Sequence, residues 1–216
     1  MNIEAHRAFA RRFGFWRWVQ SLWATLGLHV CSYRSIKGMT LVTEDVSPDF
    51  DDLPDPYRFL RLTAEEFGRR ADSRQFETEE FVRDADARGD WCLAVVDGQS
   101  LASYGWYSNE RVPVTDDFSV SFGFRWIYMY NGFTPPDYRG NRLHAFGMAE
   151  AARIAEGDGH LGLISYVEGS NYASLHSVAR LGYRIFGTCY IAKILGRGLS
   201  VRTPGCRAYD FRVSRR

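Results

Sequence analysis

The sequence predicts an α/β (α+β) fold in which helices cover both faces of a mixed sheet. The strongest indication is residues 126–187, whose pattern reads as strand, turn, helix, strand, helix and strand. A hairpin pattern at 91–107 precedes this stretch, with Asp97-Gly98 supplying the positive φ angles of a tight turn. No GxGxxG motif follows the first predicted strand, so the order differs from that of a Rossmann fold.

The composition fits one well-buried domain with an extension, because the chain has 216 residues and 45% of them are hydrophobic. A formal net charge of +1 gives no argument for a nucleic-acid partner. The four cysteines lie far apart and form no CxxC pair, so we expect buried reduced thiols and no metal site. The N-terminal stretch has no secretory signal pattern, which makes a cytoplasmic protein the default expectation.

The first segment, residues 3–27, has apolar residues at helical spacing and four arginines, and it predicts one basic amphipathic helix. It is too polar to span a bilayer. Three interpretations remain open: the helix docks on its own domain or on a second copy in a homodimer, makes a peripheral membrane contact, or covers a substrate entrance. Together with a strand or hairpin at 28–43, it makes up an N-terminal extension, residues 1–43.

An acidic, Pro-rich linker or surface loop at 44–57 separates the extension from the main domain, residues 58–216. In the main domain, Thr63 to Glu66 fit a capping box, which predicts a helix start. Gly89 predicts the end of a second helix. The elements predicted up to residue 130 are a strand at 58–62, a helix from 63, a helix at 77–87, the hairpin at 91–107 and a long strand region at 118–130.

The central turn leads into a helix that opens at Arg139-Gly140-Asn141-Arg142, directly after a Pro-Pro loop. The N-terminus of a helix is a ready anion site, because its free N–H groups and its dipole favour negative charge. An apolar run at 161–167 predicts a strand buried on both faces. The remaining predicted elements are a helix from Asn171 to Gly182-Tyr183 and strands at 183–195 and 207–213.

Two motifs in this stretch resemble those of the GNAT superfamily of N-acetyltransferases, and the likeness covers residues 58–213. The first, Arg139-Gly140-Asn141-Arg142-Leu143-His144, is similar in part to the family's phosphate loop. The resemblance implies a mixed, mostly antiparallel central sheet that splays between the family's fourth and fifth strands, with helices on both faces. The second motif is a strong match and consists here of Asn171, Ser174, Leu175, Val178, Leu181, Gly182, Tyr183 and Gly187.

The resemblance also implies acetyl-CoA, or another acyl-CoA, as the co-substrate, and no metal. In such proteins the loop amides hold the pyrophosphate, and the strand before the loop pairs with the pantetheine arm. These roles fall on Arg139, Gly140, Asn141, Arg142, Leu143 and His144 in the loop, on Gly132, Phe133 and Thr134 in the strand, and on Asn171 and Ser174 beside the thioester end and the arm.

Three positions depart from the family pattern. Arg142 stands where the pattern has Gly, so the loop keeps its N–H donors if the backbone there takes ordinary helical dihedrals. Its side chain either adds charge near the phosphates or is solvated. His144 stands where the pattern has Gly or Ala; it is expected to face solvent, and it is a base only if it turns inward. Val178 stands where many members have a Tyr that protonates the leaving thiolate, and the nearby candidates are His176, Ser177, Tyr172 and Tyr183.

An amine acceptor must lose a proton before it attacks a thioester, since a lysine-like ammonium has a pKa near ~10.4. The site therefore needs a base or a water chain. Asp and Glu are absent from 126–133, where the family often places its base. Glu168, after the following strand, is the best carboxylate; the alternative is a turn residue that binds Asn171. Tyr128 and Tyr130 share one strand face, and they either hold a proton-carrying water chain or simply pack the sheet.

These observations predict that residues 58–216 are an acyltransferase domain that moves an acetyl group from acetyl-CoA to a primary amine by direct attack in a ternary complex. The acceptor is a small-molecule or peptide amine, and the many Trp and Tyr residues favour an apolar or aromatic acceptor or a longer acyl chain. Two alternatives stay open: longer-chain acyl transfer from acyl-CoA or an acyl carrier protein, and a non-catalytic acyl-CoA-binding domain. The predicted catalytic residues are Glu168, Tyr130, Tyr128 and His176.

Overall fold

The structure is a computed structural model, and it describes residues 31–70, 77–114, 118–194 and 197–215. The helix predicted at 3–27 lies outside the described residues. In the described ranges the strands are β1 Cys31–Leu41, β2 Arg58–Thr63, β3 Trp91–Asp97, β4 Ser100–Ser108, β5 Val112–Pro113, β6 Phe118–Ser121, β7 Ile127–Phe133, β8 Leu163–Glu168, β9 Arg184–Ile194, β10 Arg197–Arg202 and β11 Arg212–Arg215. The helices are α1 Ala64–Arg69, α2 Glu79–Arg88, α3 Leu143–Gly157, α4 Tyr172–Leu181 and α5 Pro204–Ala208, with short 3-10 turns at Thr43–Asp45, Pro48–Phe50 and Pro136–Tyr138.

The central sheet has eight strands in the order β10-β9-β1-β8-β7-β4-β3-β2. All neighbours pair antiparallel except β7 and β8, which run parallel and pair only at Ile127 with Leu163 and at Tyr128 with Ile164. Beyond these two pairs the strands part, and we call the opening between them the fork. Directly past the last pair, the Ser165 hydroxyl donates to the Met129 carbonyl at 2.9 Å, so a side chain replaces the next ladder bond. The mixed, mostly antiparallel and splayed sheet predicted from the sequence is confirmed.

Helices cover both faces of this sheet, as the sequence predicts. On one face, which we call the first face, α3 and α4 bury Met129 and Leu163. On the second face, α1 and α2 pack over β3 and β4, and a three-stranded sheet of β11, β6 and β5 packs beside them. Because successive side chains of a strand alternate, Tyr128 and Tyr130 of β7 point to the second face. The two faces therefore offer different chemical surfaces at the fork.

The strand at the N-terminal side, β1, lies inside the central sheet between β8 and β9 and pairs antiparallel with both. The sequence predicts a strand or hairpin at 28–43 but assigns it to an extension. Ile36 is buried against the second face, and Met39 and Leu41 against the first face. The division of the chain into extension, linker and domain stays a prediction, yet β1 contributes to the core of the main sheet.

The capping residues that the sequence predicts at the helix ends have the expected capping geometry. The Thr63 hydroxyl accepts from the Glu66 amide at 3.1 Å, and the Glu66 carboxylate accepts from the Thr63 amide at 2.8 Å, which is the predicted capping box. Helix α2 ends at Gly89, whose φ of 71° is the left-handed conformation typical of a C-terminal cap. Helix α4 begins after Asn171 and ends at Gly182. The capping signals therefore place these helices correctly.

Several predicted strands differ from the structure. The region 118–130 is not one strand: β6 joins the small sheet, and a turn closed by the Trp126 amide on the Gly123 carbonyl separates it from β7. The hairpin turn is centred on Gly98 and Gln99, and of the two only Gly98 has a positive φ. At the C-terminal side, β10 and α5 occupy most of a segment predicted as loop. These elements lack local signals and depend on distant partners.

Candidate functional site

A single cavity of about 770 Å³ passes through the fork and reaches both faces of the sheet. Its two halves have different walls, and we name them by their contents. The helical lobe, on the first face, is lined by Met129, His144, Met148, Ser174, Val178 and Tyr183. The aromatic lobe, on the second face, is lined by Phe81, Arg88, Val114, Tyr128, Tyr130 and Tyr166.

The loop before α3 presents a run of backbone N–H groups. The amides of Ala145 and Phe146 are the first to bond back, both to the Arg142 carbonyl. Among the described residues, the amides of 140–144 donate to no backbone carbonyl or side chain. Since the positive end of the helix dipole lies at the same place, this loop is suited to an anion such as a phosphate.

The backbone of this loop does not meet the condition that the sequence sets for Arg142, namely helical dihedrals. Arg142 does not take helical dihedrals; it precedes α3 in the left-handed conformation with φ of 56°, and Gly140 has φ of 89°. A left-handed non-glycine residue costs roughly 1–2 kcal/mol. Arg142 therefore adopts the backbone conformation that the glycine of the family pattern takes freely. Its guanidinium lies 3.7 Å from the Asp49 carboxylate on the exposed surface.

The side chains of the loop are mostly engaged with their own neighbours. The Arg139 guanidinium donates to the Thr134 carbonyl at 3.1 Å, and the Asn141 amide group donates to the Tyr138 carbonyl at 3.3 Å. Leu143 is buried beneath the loop. Ligand binding by these residues would therefore rest on their backbone amides.

The strand before the loop carries a bulge at the fork. The register of β7 against β4 shifts here, and Asn131 has a left-handed φ of 46°. Gly132 follows and lines the cavity. A Cβ at Gly132 would lie 2.2 Å from Cε1 of His144, so a larger residue requires the imidazole to move. Next to it, the Ser103 hydroxyl donates to the Phe133 carbonyl at 3.1 Å and lies 2.9 Å from the Thr134 hydroxyl.

His144 turns inward and lines the cavity, in contrast to the solvent-facing position expected for it. Burial lowers the pKa of His144 to about 4, and a hydrogen bond to the Tyr104 main chain only partly offsets this effect. The imidazole is therefore neutral at physiological pH. It is available as a hydrogen-bonding group beside Gly132, but it is a weak base.

The fold is shared with several solved structures. A GCN5-related N-acetyltransferase from Kribbella flavida matches with a TM-score of 0.51 and 14% identity, over 89% of this chain and 67% of that one. A GCN5-related N-acetyltransferase-like protein from Streptococcus suis matches with a TM-score of 0.50 and 14% identity, over 81% and 66%. The chain has the GNAT fold.

Two further findings qualify that likeness. A Drosophila protein matches with a TM-score of 0.53 and 20% identity over 85% of this chain, although the match spans only 58% of that protein. No protein-family model matches the chain, and no curated protein matches it either. At these identities the likeness establishes the fold, and the assignment of a reaction depends on the site itself.

In the second GNAT motif, Asn171 caps α4: its side-chain oxygen accepts from the Ser174 amide at 3.1 Å. Ser174 and Val178 line the helical lobe, and His176, on the opposite side of the helix, is exposed and lies outside the cavity lining. Tyr183 also lines this lobe, with its hydroxyl 3.7 Å from the Met148 sulfur. Of the two tyrosines considered as candidates near Val178, Tyr183 therefore lies at the cavity, whereas Tyr172 is exposed to solvent.

The aromatic lobe has a wall of tyrosines. The rings of Tyr128 and Tyr130 lie parallel with centroids 5.9 Å apart, and Tyr166 continues the row from across the fork at 6.5 Å from Tyr128. The edge contacts of Trp106 place it in the protein core instead, and Tyr107 stacks on Trp91 on the first face. Of the aromatic residues on central strands, the tyrosines of β7 and β8 therefore form the cavity wall.

Tyr130 is held by a buried ion pair. Its hydroxyl donates to the Asp90 carboxylate at 2.6 Å and accepts from the Arg88 guanidinium at 3.1 Å. Arg88 in turn donates to the same oxygen of Asp90 at 2.8 Å. Burial, followed by the neighbouring Asp90 charge, raises the pKa of Tyr130. Tyr130 is therefore a neutral phenol at physiological pH.

Glu168 lies outside the cavity lining, although it shares a strand face with Tyr166. Its carboxylate forms an exposed ion pair with Arg34, and its carbonyl accepts from the Asn171 amide at 2.9 Å. These contacts are those of a residue at a strand end and turn, the alternative that the sequence left open. Nothing in its surroundings aims the carboxylate at the fork.

Sequence reasoning missed Arg88 and Asp90, as well as two cavity-lining carboxylates of α2, Glu80 and Asp84. Arg88 and Asp90 flank Gly89, which the sequence identifies only as a helix end. Their partner Tyr130 is 40 residues from Asp90, so local pattern carries no signal of the contact.

Among the described residues, no group of three His, Cys, Asp or Glu side chains is placed to hold a metal ion. In the same part of the chain, no helix combines the length and the apolar character that crossing a bilayer requires.

Proposed function

We propose that the protein is an N-acyltransferase that moves an acetyl group from acetyl-CoA to a primary amine by direct attack in the fork. The observation that carries the proposal is the cavity itself, which joins the helical lobe to the aromatic lobe through the parted strands. Two substrates can enter a site of this shape from opposite faces and meet in the middle. Holding both in place converts a bimolecular reaction into an effectively unimolecular one.

The donor is assigned to the first face, where the residues fit acyl-CoA. The amides of 140–144 and the dipole of α3 suit its diphosphate. From there the strand edge at 132–134 leads to the fork, where the His144 imidazole fills the space beside the Gly132 backbone. Ser174 lines the opposite side of this path, and Asn171, which is outside the cavity lining, holds the Ser174 amide through its side-chain oxygen.

The acceptor is assigned to the aromatic lobe. Its tyrosine wall suits an apolar or aromatic body, and Glu80 and Asp84 at its rim favour a cationic amine from a small molecule or a peptide. We place the acceptor nitrogen beside Tyr130 rather than Glu168, because Tyr130 lines the cavity and Glu168 does not. The cytoplasmic location, the homodimer and the membrane contact remain predictions from the sequence.

The proposal is tested by turnover of acetyl-CoA with a panel of primary amines that differ in size, aromaticity and charge, measured as free thiol. Calorimetry with coenzyme A and acyl-CoA esters of increasing chain length runs in parallel. Gly132→Ala should abolish most turnover, because the added Cβ displaces His144 into the fork. Gly147→Ala is the matched control, since a Cβ there meets only Val95 at an ordinary 3.7 Å.

The outcomes separate the alternatives. Turnover that Gly132→Ala removes and Gly147→Ala preserves supports the proposal. Acyl-CoA binding without turnover for any amine supports the non-catalytic binding domain instead. Faster turnover with longer acyl chains would identify a longer-chain acyl-CoA as the natural donor. No heat with any CoA ester removes the assignment altogether.

A further inference from the structure

Three polar side chains from three elements meet at the wall of the aromatic lobe: Arg88 and Tyr130 line the cavity, and Asp90 lies behind them. Arg88 comes from the end of α2, Asp90 from the residue before β3, and Tyr130 from β7. The Asp90 side chain is 0% exposed and the Arg88 side chain 18% exposed. Burying an ion pair is costly unless its geometry is good, and here both partners also bond to Tyr130.

The direction of these hydrogen bonds is fixed by chemistry. A guanidinium has only donors, so the Tyr130 oxygen must accept from Arg88. The phenolic proton is therefore free to go to the Asp90 carboxylate, and the 2.6 Å separation is typical of a strong bond to a charged acceptor. A substrate N–H that reaches Tyr130 from the cavity meets an oxygen whose own proton already points at a carboxylate.

The Asp90 carboxylate is not fully satisfied. One oxygen, Oδ2, accepts the hydrogen bonds from both Arg88 and Tyr130. The other oxygen, Oδ1, is buried and has no hydrogen-bond partner among the described residues. An ion pair with only a structural role would be more stable with both oxygens bonded. A carboxylate with an unused oxygen next to a substrate cavity is equipped to take up a proton.

Resting on the proposed function, we propose that Tyr130 and Asp90 form a proton relay for the acceptor amine and that Arg88 is its positioning residue. The bound ammonium first loses a proton to solvent; the resulting neutral amine attacks the thioester carbonyl carbon, and the new N–C bond forms as the C–S bond breaks and its electron pair leaves on sulfur. The excess proton on nitrogen passes to the Tyr130 oxygen, while the phenolic proton passes to Asp90. The proton then returns through Tyr130 to the thiolate or to solvent, which restores the relay.

Other groups around Tyr130 set the conditions for the relay. Glu80 and Asp84 of α2 line the same lobe, Tyr128 and Tyr166 flank the ring, and Glu77 holds the adjacent Asn131 at 2.9 Å. The Arg88 cation lies among these negative charges and donates to both Asp90 and Tyr130. Because the pKa of Tyr130 is raised, it acts by passing a proton on and not as a phenolate base.

The test uses the purified full chain with acetyl-CoA and the best amine of the panel, with kcat and KM measured from pH 6 to 9.5. The variants are Asp90→Asn, Tyr130→Phe and the double variant. Each should lower kcat about 100-fold near neutral pH, which is a typical contribution of general acid–base catalysis. The KM for acetyl-CoA should stay within about threefold, because the donor is held in the other lobe.

Two signatures distinguish a relay from a structural role. The loss should shrink as pH rises, because hydroxide then replaces the relay, and the double variant should be no slower than either single variant. Asp158→Asn is the matched control for the carboxylate, since Asp158 pairs with Arg61 at 2.9 Å on the surface. Tyr209→Phe is the control for the phenol, because Tyr209 packs on Phe186 outside the cavity lining.

The relay is overturned if the single losses multiply in the double variant, or if the loss is the same factor at every pH. Thermal unfolding of each variant shows whether it is folded, and if Asp90→Asn is not, the pH profile of Tyr130→Phe decides alone. A wild-type protein that turns over no amine overturns the proposed function and the relay with it. Turnover with parallel pH profiles overturns the relay only.

Discussion

The two lobes of the cavity are built in opposite ways. The helical lobe is lined by β7, α3, α4 and Tyr183, and the loop that leads into α3 offers backbone amides at 140–144. The aromatic lobe is assembled from α2, β5, β7 and β8, and it offers side chains. A group common to all acyl-CoA donors can be held by backbone, whereas the choice of acceptor depends on side chains. Substitutions should therefore act through dihedral angles in one lobe and through side-chain chemistry in the other.

The largest expected effect concerns His144, the loop residue whose side chain reaches the fork. Its pKa is about 4 in the folded protein and 6.5 unfolded, so the unfolded chain takes up the proton first as pH falls. The neutral His144 imidazole makes its full contribution to the free energy of unfolding above pH 6.5. This free energy then decreases by about 3 kcal/mol as the pH falls towards 4. Urea unfolding at pH 4.5 and 7.5 should show this dependence, and His144→Gln should lose most of it.

His176→Gln is the control for that measurement, because the His176 side chain is exposed to solvent. It should keep the pH dependence of the wild type. Equal pH dependence in the wild type and in His144→Gln would show that the imidazole is not buried in the fork.

The next effect tests backbone against side chain in the helical lobe. Gly140→Val puts a β-branched residue at φ of 89°, where a Cβ meets no neighbour within 4 Å, so the only penalty is dihedral strain. Acetyl-CoA affinity, measured by calorimetry, should fall about tenfold or more as the amides turn away. Gly157→Val, at an equally open position without a positive φ, should bind as the wild type does.

The side chains of the same loop should matter less for acetyl-CoA affinity than its backbone conformation. Asn141→Ala removes a side chain that bonds only to the Tyr138 carbonyl, and acetyl-CoA affinity should change less than about threefold. A larger loss for Asn141→Ala than for Gly140→Val would reverse our account of the helical lobe.

A smaller effect concerns the conformation of Arg142. Arg142→Gly relieves the left-handed strain at φ of 56° and should raise the free energy of unfolding by about 0.5–1 kcal/mol. Arg139→Gly, at φ of −66° in the same loop, should lower it. Urea unfolding compares the two variants. A higher free energy of unfolding at both positions would show that removal of an arginine charge, and not relief of backbone strain, is the cause.

The smallest effect is expected at Glu168. Its ion pair with Arg34 is exposed on both sides, and such pairs contribute about 0–1 kcal/mol. Glu168→Gln should change kcat less than about threefold with any amine that the wild type accepts. A 100-fold loss of kcat in Glu168→Gln would show that Glu168, and not the Tyr130 relay, acts as the base.

The sequence predicts best what is local. Asn171 and Gly182 bound α4 because a side-chain cap and a left-handed glycine act on their own neighbours. The splayed sheet followed from a family resemblance carried by two such local motifs. Residue chemistry alone also indicated the anion-binding helix end.

What the sequence does not predict depends on distant contacts. The place of β1 is decided by pairing Ile36 with Glu168, more than a hundred positions away. The inward turn of His144 depends on the space left by Gly132 on another element. The Asp90–Tyr130 bond likewise joins the residue before β3 to β7, 40 positions along the chain. Local propensity contains none of this information.

NMR of ¹⁵N-labelled protein titrated with coenzyme A shows whether the amides before α3 hold the donor. If they do, the amide resonances of 140–144 shift together, and those of 132–134 follow as the arm reaches the fork. Saturating coenzyme A that leaves the amides of 140–144 unmoved while other resonances shift would contradict this role of the amides.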